Sequence, residues 1–406
     1  MDLLFHSLSN GIRLVHHRIP GEVAYCGLII NTGSRDEEET EHGIAHFIEH
    51  MLFKGTKKRK AYFVLSRLEN VGGELNAYTT KEETAIYASF MKTDYERAIE
   101  IIGDVVFNPA LPIAEIEKEK DVIIEEINSY LDNPGELIFD EFEEMIFADQ
   151  PIGHNILGTS ASVKSFNQKK LAEFISKNYH TDQMVFCSVG DIQDDKIIRL
   201  FRKYFEAVPG NTKTDKASIP WFYKAASSVK KLDTVQNHCI IGNIAYDLKS
   251  KKRLVMFLLN NILGGQGLNS RLNLSLREKK GLTYNVESVY NPYRDTGSFS
   301  IYFGTDTVNL ERSIKIVYSE LDRLRKSNLG VIQLSKAKTQ IKGYLARGYE
   351  NHESLMLSLG KSLLVFDRIE TLEETCRKID YITSSELLEA ANEIFNPPDL
   401  STLIYK

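Results

Sequence analysis

Ala85-Ile-Tyr-Ala-Ser-Phe90 and Asp94-Tyr-Glu-Arg-Ala-Ile99 have counterparts in Gly297-Ser-Phe-Ser-Ile-Tyr-Phe303 and Asn309-Leu-Glu-Arg-Ser-Ile314. In each pair a run rich in β-branched and aromatic residues, the mark of a strand, leads into the charged opening of an amphipathic helix. Further upstream, Gly73-Glu-Leu-Asn76 falls opposite Gly281-Leu-Thr-Tyr284. The offsets run from about 208 to 215 residues, far too long for a solenoid, so two homologous domains in tandem are expected. Strand runs alternating with helices give the expected class: α+β, each domain a mixed or antiparallel sheet covered by helices.

Outward from this pair, strands are expected over Gly11–His16, Ala24–Ile30, Glu74–Thr79 and Met184–Gly190. Helices are expected over Asp94–Val106, Ile113–Tyr130, Gly135–Phe147 and Asp194–Phe205. The pattern breaks at Val208-Pro-Gly-Asn-Thr-Lys-Thr-Asp-Lys-Ala-Ser-Ile-Pro220, where Pro, Gly and polar residues replace any periodicity. The expected division is therefore 1–207, a linker over 208–220, and 221–406. Trp221, beside Phe222 and Tyr223, reads as a core anchor at that boundary.

The whole chain has 406 residues, 42% hydrophobic and 26% charged, a globular composition with room for more than one domain. A net charge of −6 over this length argues against nucleic acid as a partner, and Lys57-Lys-Arg-Lys60 is too short a basic run to reverse that. No apolar run approaches 18 residues, so no membrane-spanning helix is expected. The first residues lack the basic and apolar regions of a signal peptide. Cys26, Cys187, Cys239 and Cys376 form no CxxC and lie in or near apolar stretches. Buried, unpaired thiols are expected, which fits a reducing, cytoplasmic setting.

The segment with chemistry is Thr40-Glu-His-Gly-Ile-Ala-His-Phe-Ile-Glu-His-Met-Leu-Phe-Lys-Gly-Thr56. Read as a helix with Thr40 as N-cap and Gly55 as its stop, it places Ile44, Ile48, Met51 and Leu52 in one apolar stripe. His46, Glu49 and His50 fall on the opposite side. Imidazoles at i and i+4 lie one turn apart and can converge on one tetrahedral ion, while Glu49 stands beside them without having to be a ligand. This is H-x-x-E-H, the inverse of the H-E-x-x-H order. A solvated surface face would leave the clustering of all three unexplained. His42 extends the row and is a possible alternative ligand, though more simply a bystander.

Two histidines leave a catalytic zinc one protein ligand short. The candidate source is Glu115-Ile-Glu-Lys-Glu-Lys-Asp-Val-Ile-Ile-Glu-Glu-Ile127, helical in pattern through Ile116, Ile123, Ile124 and Ile127. Glu119 and Glu126 share a face and stand about 10.5 Å apart along the axis. One could be a ligand and the other a supporting group; spacing does not choose, and Glu125 is also available.

At this point the sequence resembles the pitrilysin, insulysin and mitochondrial processing peptidase family of zinc metallopeptidases. The matching segments are His46-Phe-Ile-Glu-His50, Gly72-Gly-Glu-Leu-Asn-Ala-Tyr-Thr79, Glu119-Lys-Asp-Val-Ile-Ile-Glu-Glu126, Asn155-Ile-Leu-Gly-Thr159 and Arg277-Glu-Lys-Lys-Gly-Leu-Thr-Tyr284. The resemblance implies that His46, His50 and Glu126 hold zinc, that Glu49 is the catalytic base, and that Glu119 is a supporting carboxylate. It also implies that Asn76 and Ala77 lie on an edge strand that pairs with substrate backbone. Arg277 and Tyr284 would be contributed by the second domain. The short members of the family, which this chain resembles in size, work as dimers. Because both residue sets are present here, the resemblance favours a homodimer, or a self-sufficient monomer, cleaving peptides. At an offset of 208, Leu254, Phe257 and Leu258 fall opposite His46, Glu49 and His50, so one Zn2+ per chain is expected.

Overall fold

Val23–Ile30 and Met184–Gly190 are apolar along almost their whole length, as strands must be when covered on both faces, and both lie inside a sheet. The computed structural model describes residues 2–214, 221–232 and 234–406. The first sheet contains β1 (Leu3–Ser7), β2 (Arg13–Arg18), β3 (Val23–Ile30), β4 (Glu74–Thr79), β5 (Thr84–Met91) and β6 (Met184–Gly190). Its order is β1-β2-β6-β3-β5-β4, with β2 and β6 parallel and every other pair antiparallel. The strand β4, which holds Asn76 and Ala77, lies at an edge.

Side chains alternate across this sheet and build two cores. One face, with Leu28, Ile86 and Phe186, packs on α1 (Ile44–Leu52), α2 (Ala61–Glu69), α3 (Tyr95–Phe107) and α4 (Ile113–Leu131). The other face, with Val15, Ile29, Val185, Cys187 and Val189, is covered by Leu355, Met356, Leu359, Leu363 and Leu364. These five come from a helix of the second half of the chain.

The second sheet holds β7 (Ser227–Lys230), β8 (Asn237–Ile244), β9 (Thr283–Pro292), β10 (Gly297–Thr305) and β11 (Ser401–Tyr405) in the order β7-β11-β8-β10-β9. Here β7 and β11 are the parallel pair. Matched strand for strand, this is the first sheet without β1, and the expected duplication is present as two tandem domains of α+β type. The segment over Gly135–Phe147, expected in the first domain, is α5 (Pro134–Ile146). Its Leu137, Ile138, Phe142 and Ile146 cover Ile240, Tyr302, Leu403 and Tyr405 of the second sheet.

The remaining helices of the first unit are α6 (Ser160–Ser165), α7 (Gln168–Asn178) and α8 (Asp194–Phe205). Those that follow are α9 (Arg253–Gly264), α10 (Leu310–Lys326), α11 (Val331–Glu350), α12 (His352–Phe366), α13 (Leu372–Tyr381) and α14 (Ser384–Ile394). The compact units are thus interleaved. The first takes the chain up to Asn128, the stretch beginning at His154, and Gly348–Thr371; the second takes Ser129–Gly153, the stretch ending at Arg347, and Leu372–Lys406.

Part of the expected linker, 215–220, lies outside the described residues. Its start is held to the first unit: Asn211 and Thr181 exchange backbone and side-chain hydrogen bonds of 2.8–3.0 Å, and the Lys213 amide donates to Asp182. Trp221 stacks edge-on against Phe147 at 5.7 Å, in the core expected of it, whereas Phe222 is exposed. All four cysteines are free; Cys26, Cys187 and Cys239 are buried, but Cys376 is only partly so, because α13 presents it beside solvent. Among the described residues no helix is long and apolar enough to cross a membrane.

Candidate metal centre

The helix α1 is anchored by Ile44, Phe47, Ile48, Met51 and Leu52, all fully buried, which turns His46, Glu49 and His50 away from that apolar stripe. It starts later than expected. Gly43, in the left-handed region at φ +92°, is the N-cap, and Thr40 lies outside the helix. The reason is Glu37, whose buried carboxylate accepts from the Gly43 and Ala45 amides at 2.9 Å and takes over the capping of the first turn. Burial pushes the Glu37 carboxyl well above its ordinary range, against those two amides. Gly43 is also required by space: a Cβ there would come within 2.5 Å of the Leu157 carbonyl, and one at Gly158 within 2.2 Å of the His42 carbonyl. Asn155–Thr159 thereby lies backbone to backbone against the start of α1. The helix stops at Leu52, and Gly55, at φ +123°, lies in the turn beyond it.

Away from that stripe, His46, His50 and Glu126 each present a donor atom, all within 4.8 Å of one another. Glu126 Oε1 stands 3.8 Å from His46 Nε2, and Glu126 Oε2 3.7 Å from His50 Nε2. These separations are too long for hydrogen bonds. Two ligands about 2.05 Å from a tetrahedral ion stand roughly 3.3 Å apart, so a small inward movement would seat a zinc ion. The donor set, two imidazoles and one carboxylate, suits that metal. Burial, with His50 beside it, pushes His46 down to about 4, so its imidazole stays neutral. No second cluster of this kind occurs among the described residues.

The carboxylates that spacing left open take different positions on α4. Ile116, Ile123 and Ile127 are buried and set the phase of the helix. Glu119 falls within that buried stripe and accepts a hydrogen bond from His50 Nδ1 at 2.9 Å, which leaves Nε2 turned towards Glu126. Burial opposes the charge on Glu119, but His50 and Lys54 outweigh it and hold the carboxyl below its ordinary value. Glu126 lies at the exposed margin and joins the triad; Glu125 and His42 do not. His42 instead lies against the His154 ring, centroids 4.0 Å apart. Glu49 sits between the histidines on the same turn, half-buried. Burial raises its carboxyl, while Thr79 and His50 act in the opposite direction.

Sequence reasoning missed Lys54, whose Nζ lies 2.7 Å from Glu119 Oε2, and Glu37. Lys54 had a signal, since it continues the row of His42, His46 and His50 at four-residue spacing. Glu37 had none. Asn76 and Ala77 lie on β4 beside α1, with Asn76 exposed. Arg277 and Tyr284 belong to the second unit. Arg277 lies on a wide-turn helix over Asn273–Glu278 with its guanidinium 3.4 Å from Glu278, and Tyr284 stands at the start of β9, 87% exposed.

Residues 13–160 match the family described as insulinase, peptidase family M16, and residues 165–341 match the M16 inactive domain. A relative from Rickettsia bellii, named an uncharacterized zinc protease, is 33% identical over 98% of this chain and 96% of its own length. The chain belongs to the M16 peptidase family. A second M16 relative, the uncharacterized zinc protease YmxG of Bacillus subtilis, is 31% identical over 96% of this chain and 95% of its own. Two crystal structures share the fold along the entire chain. One is a protease from Helicobacter pylori, with a TM-score of 0.91, 23% identity and 99% of that chain covered. The other is titled as an M16 inactive domain from Pseudomonas fluorescens, with a TM-score of 0.92, 21% identity and 98% covered. The M16 segment over 13–160 contains His46, Glu49, His50, Glu119 and Glu126. In the segment matched by the inactive domain, α9 is the counterpart of α1; there Leu258 is buried and Phe257 packs against Tyr290 at 4.9 Å.

Proposed function

We propose that the protein is a zinc-dependent endopeptidase or oligopeptidase that hydrolyses peptides or unfolded segments. The observation that carries this reading is the convergence of His46, His50 and Glu126, with Glu49 on the same helical turn. His46 and His50, both through Nε2, and Glu126 would hold one zinc per chain. When bound, the metal supplies Lewis-acid polarisation of a carbonyl and lowers the pKa of a coordinated water towards about 7. Glu49 takes the proton from the attacking water and returns it to the leaving amine; its raised carboxyl suits both halves of that transfer. Glu119 keeps His50 in the tautomer that offers Nε2.

In this reading the free edge of β4 at Asn76 and Ala77 binds substrate backbone by strand addition, which gives affinity with little sequence preference. Arg277 and Tyr284 act on the substrate carbonyl or the developing oxyanion. The working form is a homodimer, and the free thiols and lack of CxxC support a cytoplasmic location. The test is Glu49→Gln. It should retain stoichiometric zinc by elemental analysis and lose about 10²–10⁴-fold in turnover of a fluorogenic peptide panel. Turnover equal to the parent rules out the proton transfer assigned to Glu49.

A further inference from the structure

We infer that Lys54 is a positioning residue for the metal centre, acting through Glu119 on His50; the inference rests on the zinc peptidase reading above. Glu119 is buried, only 4% exposed, and its two carboxylate oxygens have different partners. Oε1 accepts from His50 Nδ1 at 2.9 Å, and Oε2 lies 2.7 Å from the Lys54 ammonium. A buried carboxylate with one oxygen unpartnered is costly and can rotate towards another donor. With an ammonium on Oε2 and an imidazole on Oε1, Glu119 is held in one orientation. That orientation directs the His50 N–H and so aims its Nε2.

The local sequence makes this economical. Lys54 follows His50 by four residues, just past the end of α1 at Leu52, and Glu119 of α4 bridges the two. Lys54 pairs with Glu119 and is not one of the three residues whose donor atoms converge, which separates its role from that of a ligand or a base. Its side chain is about one-third exposed, so the charge can be removed without opening a core cavity.

The experiment compares the full chain with Lys54→Met, Lys54→Gln, Lys54→Arg, Glu119→Gln and the double variant Lys54→Met/Glu119→Gln. Zinc affinity is read by chelator competition, the cobalt-substituted visible spectrum reports ligand geometry, and thermal unfolding checks the fold. Lys54→Met and Lys54→Gln should each weaken zinc binding by about 10- to 100-fold and perturb the cobalt spectrum. Lys54→Arg should restore most of the affinity. In the Glu119→Gln background, Lys54→Met should add less than about threefold, since the two act as one unit. If the parent binds zinc and the Lys54 variants bind it equally well, or if the Lys54 effect is undiminished without Glu119, the positioning role is wrong while the peptidase reading stands. A parent that takes up no zinc defeats both.

Discussion

Four side chains at four-residue spacing on α1 and just outside its two ends, His42, His46, His50 and Lys54, have four different environments. His42 meets another imidazole. His46 is buried and kept neutral. Burial alone would push His50 down as well, but Glu119, with Glu126 and Glu49 nearby, outweighs it and raises His50 above its ordinary value. Lys54 neutralises the carboxylate that does so. The row itself was legible from spacing; the partners were not, because they arrive on a helix about seventy residues later in the chain. The clearest case is the choice among Glu119, Glu125 and Glu126. Periodicity put Glu119 and Glu126 on one face, but only the packing of Ile116 and Ile123 shows Glu119 sinking behind His50 while Glu126 reaches the donor group. Glu126→Gln should therefore abolish tight zinc binding, whereas Glu125→Gln should leave it within about threefold, both read by chelator competition. Equal zinc loss in the two variants, or none in either, would remove Glu126 from the ligand set.

At the scale of an element, α1 is held at its start by contacts the motif does not advertise. Its first amides are capped by Glu37 from outside the helix, and its N-cap, Gly43, touches the backbone of Leu157 and Gly158. The matching segment Asn155–Thr159 thus has a structural task, to press against the base of α1, and its glycine has a steric reason. Gly43→Ala faces two penalties, a left-handed φ of +92° and a Cβ within 2.5 Å of a carbonyl. Gly72→Ala faces one, since φ is +74° but nothing lies within 4 Å. The expected loss of stability is about 1 kcal/mol for Gly72→Ala and about 2–4 kcal/mol for Gly43→Ala, measured by urea unfolding. The Gly43 variant should also lose zinc affinity, because the turn it disturbs leads directly into His46. Indistinguishable unfolding curves for the two variants would show that the approach of Leu157 relaxes without cost.

At the scale of the whole molecule, the duplication was readable because strand and helix patterns recur at a fixed offset, and the sheet orders repeat accordingly. The exchange of helices was not. The apolar pattern of Leu355, Met356, Leu359, Leu363 and Leu364 says that α12 buries one face, but no local signal says which sheet receives it. Nor does the Pro134–Ile146 pattern reveal that α5 serves the second sheet. A cut at the expected linker therefore separates each sheet from one of its covers. Burial of those five α12 side chains is worth about 1.5–3 kcal/mol each, roughly the entire net stability of an ordinary domain. The fragment 1–214 keeps every residue of the proposed metal site, yet lacks the helix that covers Val15, Ile29, Val185, Cys187 and Val189. It should aggregate, or unfold without a cooperative transition by near-ultraviolet circular dichroism, and bind no zinc tightly. Supplying residues 348–371 on a flexible linker should restore a cooperative transition. A monomeric 1–214 fragment that unfolds as sharply as the full chain would show that this face of the first sheet does not need α12, and that a contiguous division of the chain is enough for the first unit to fold.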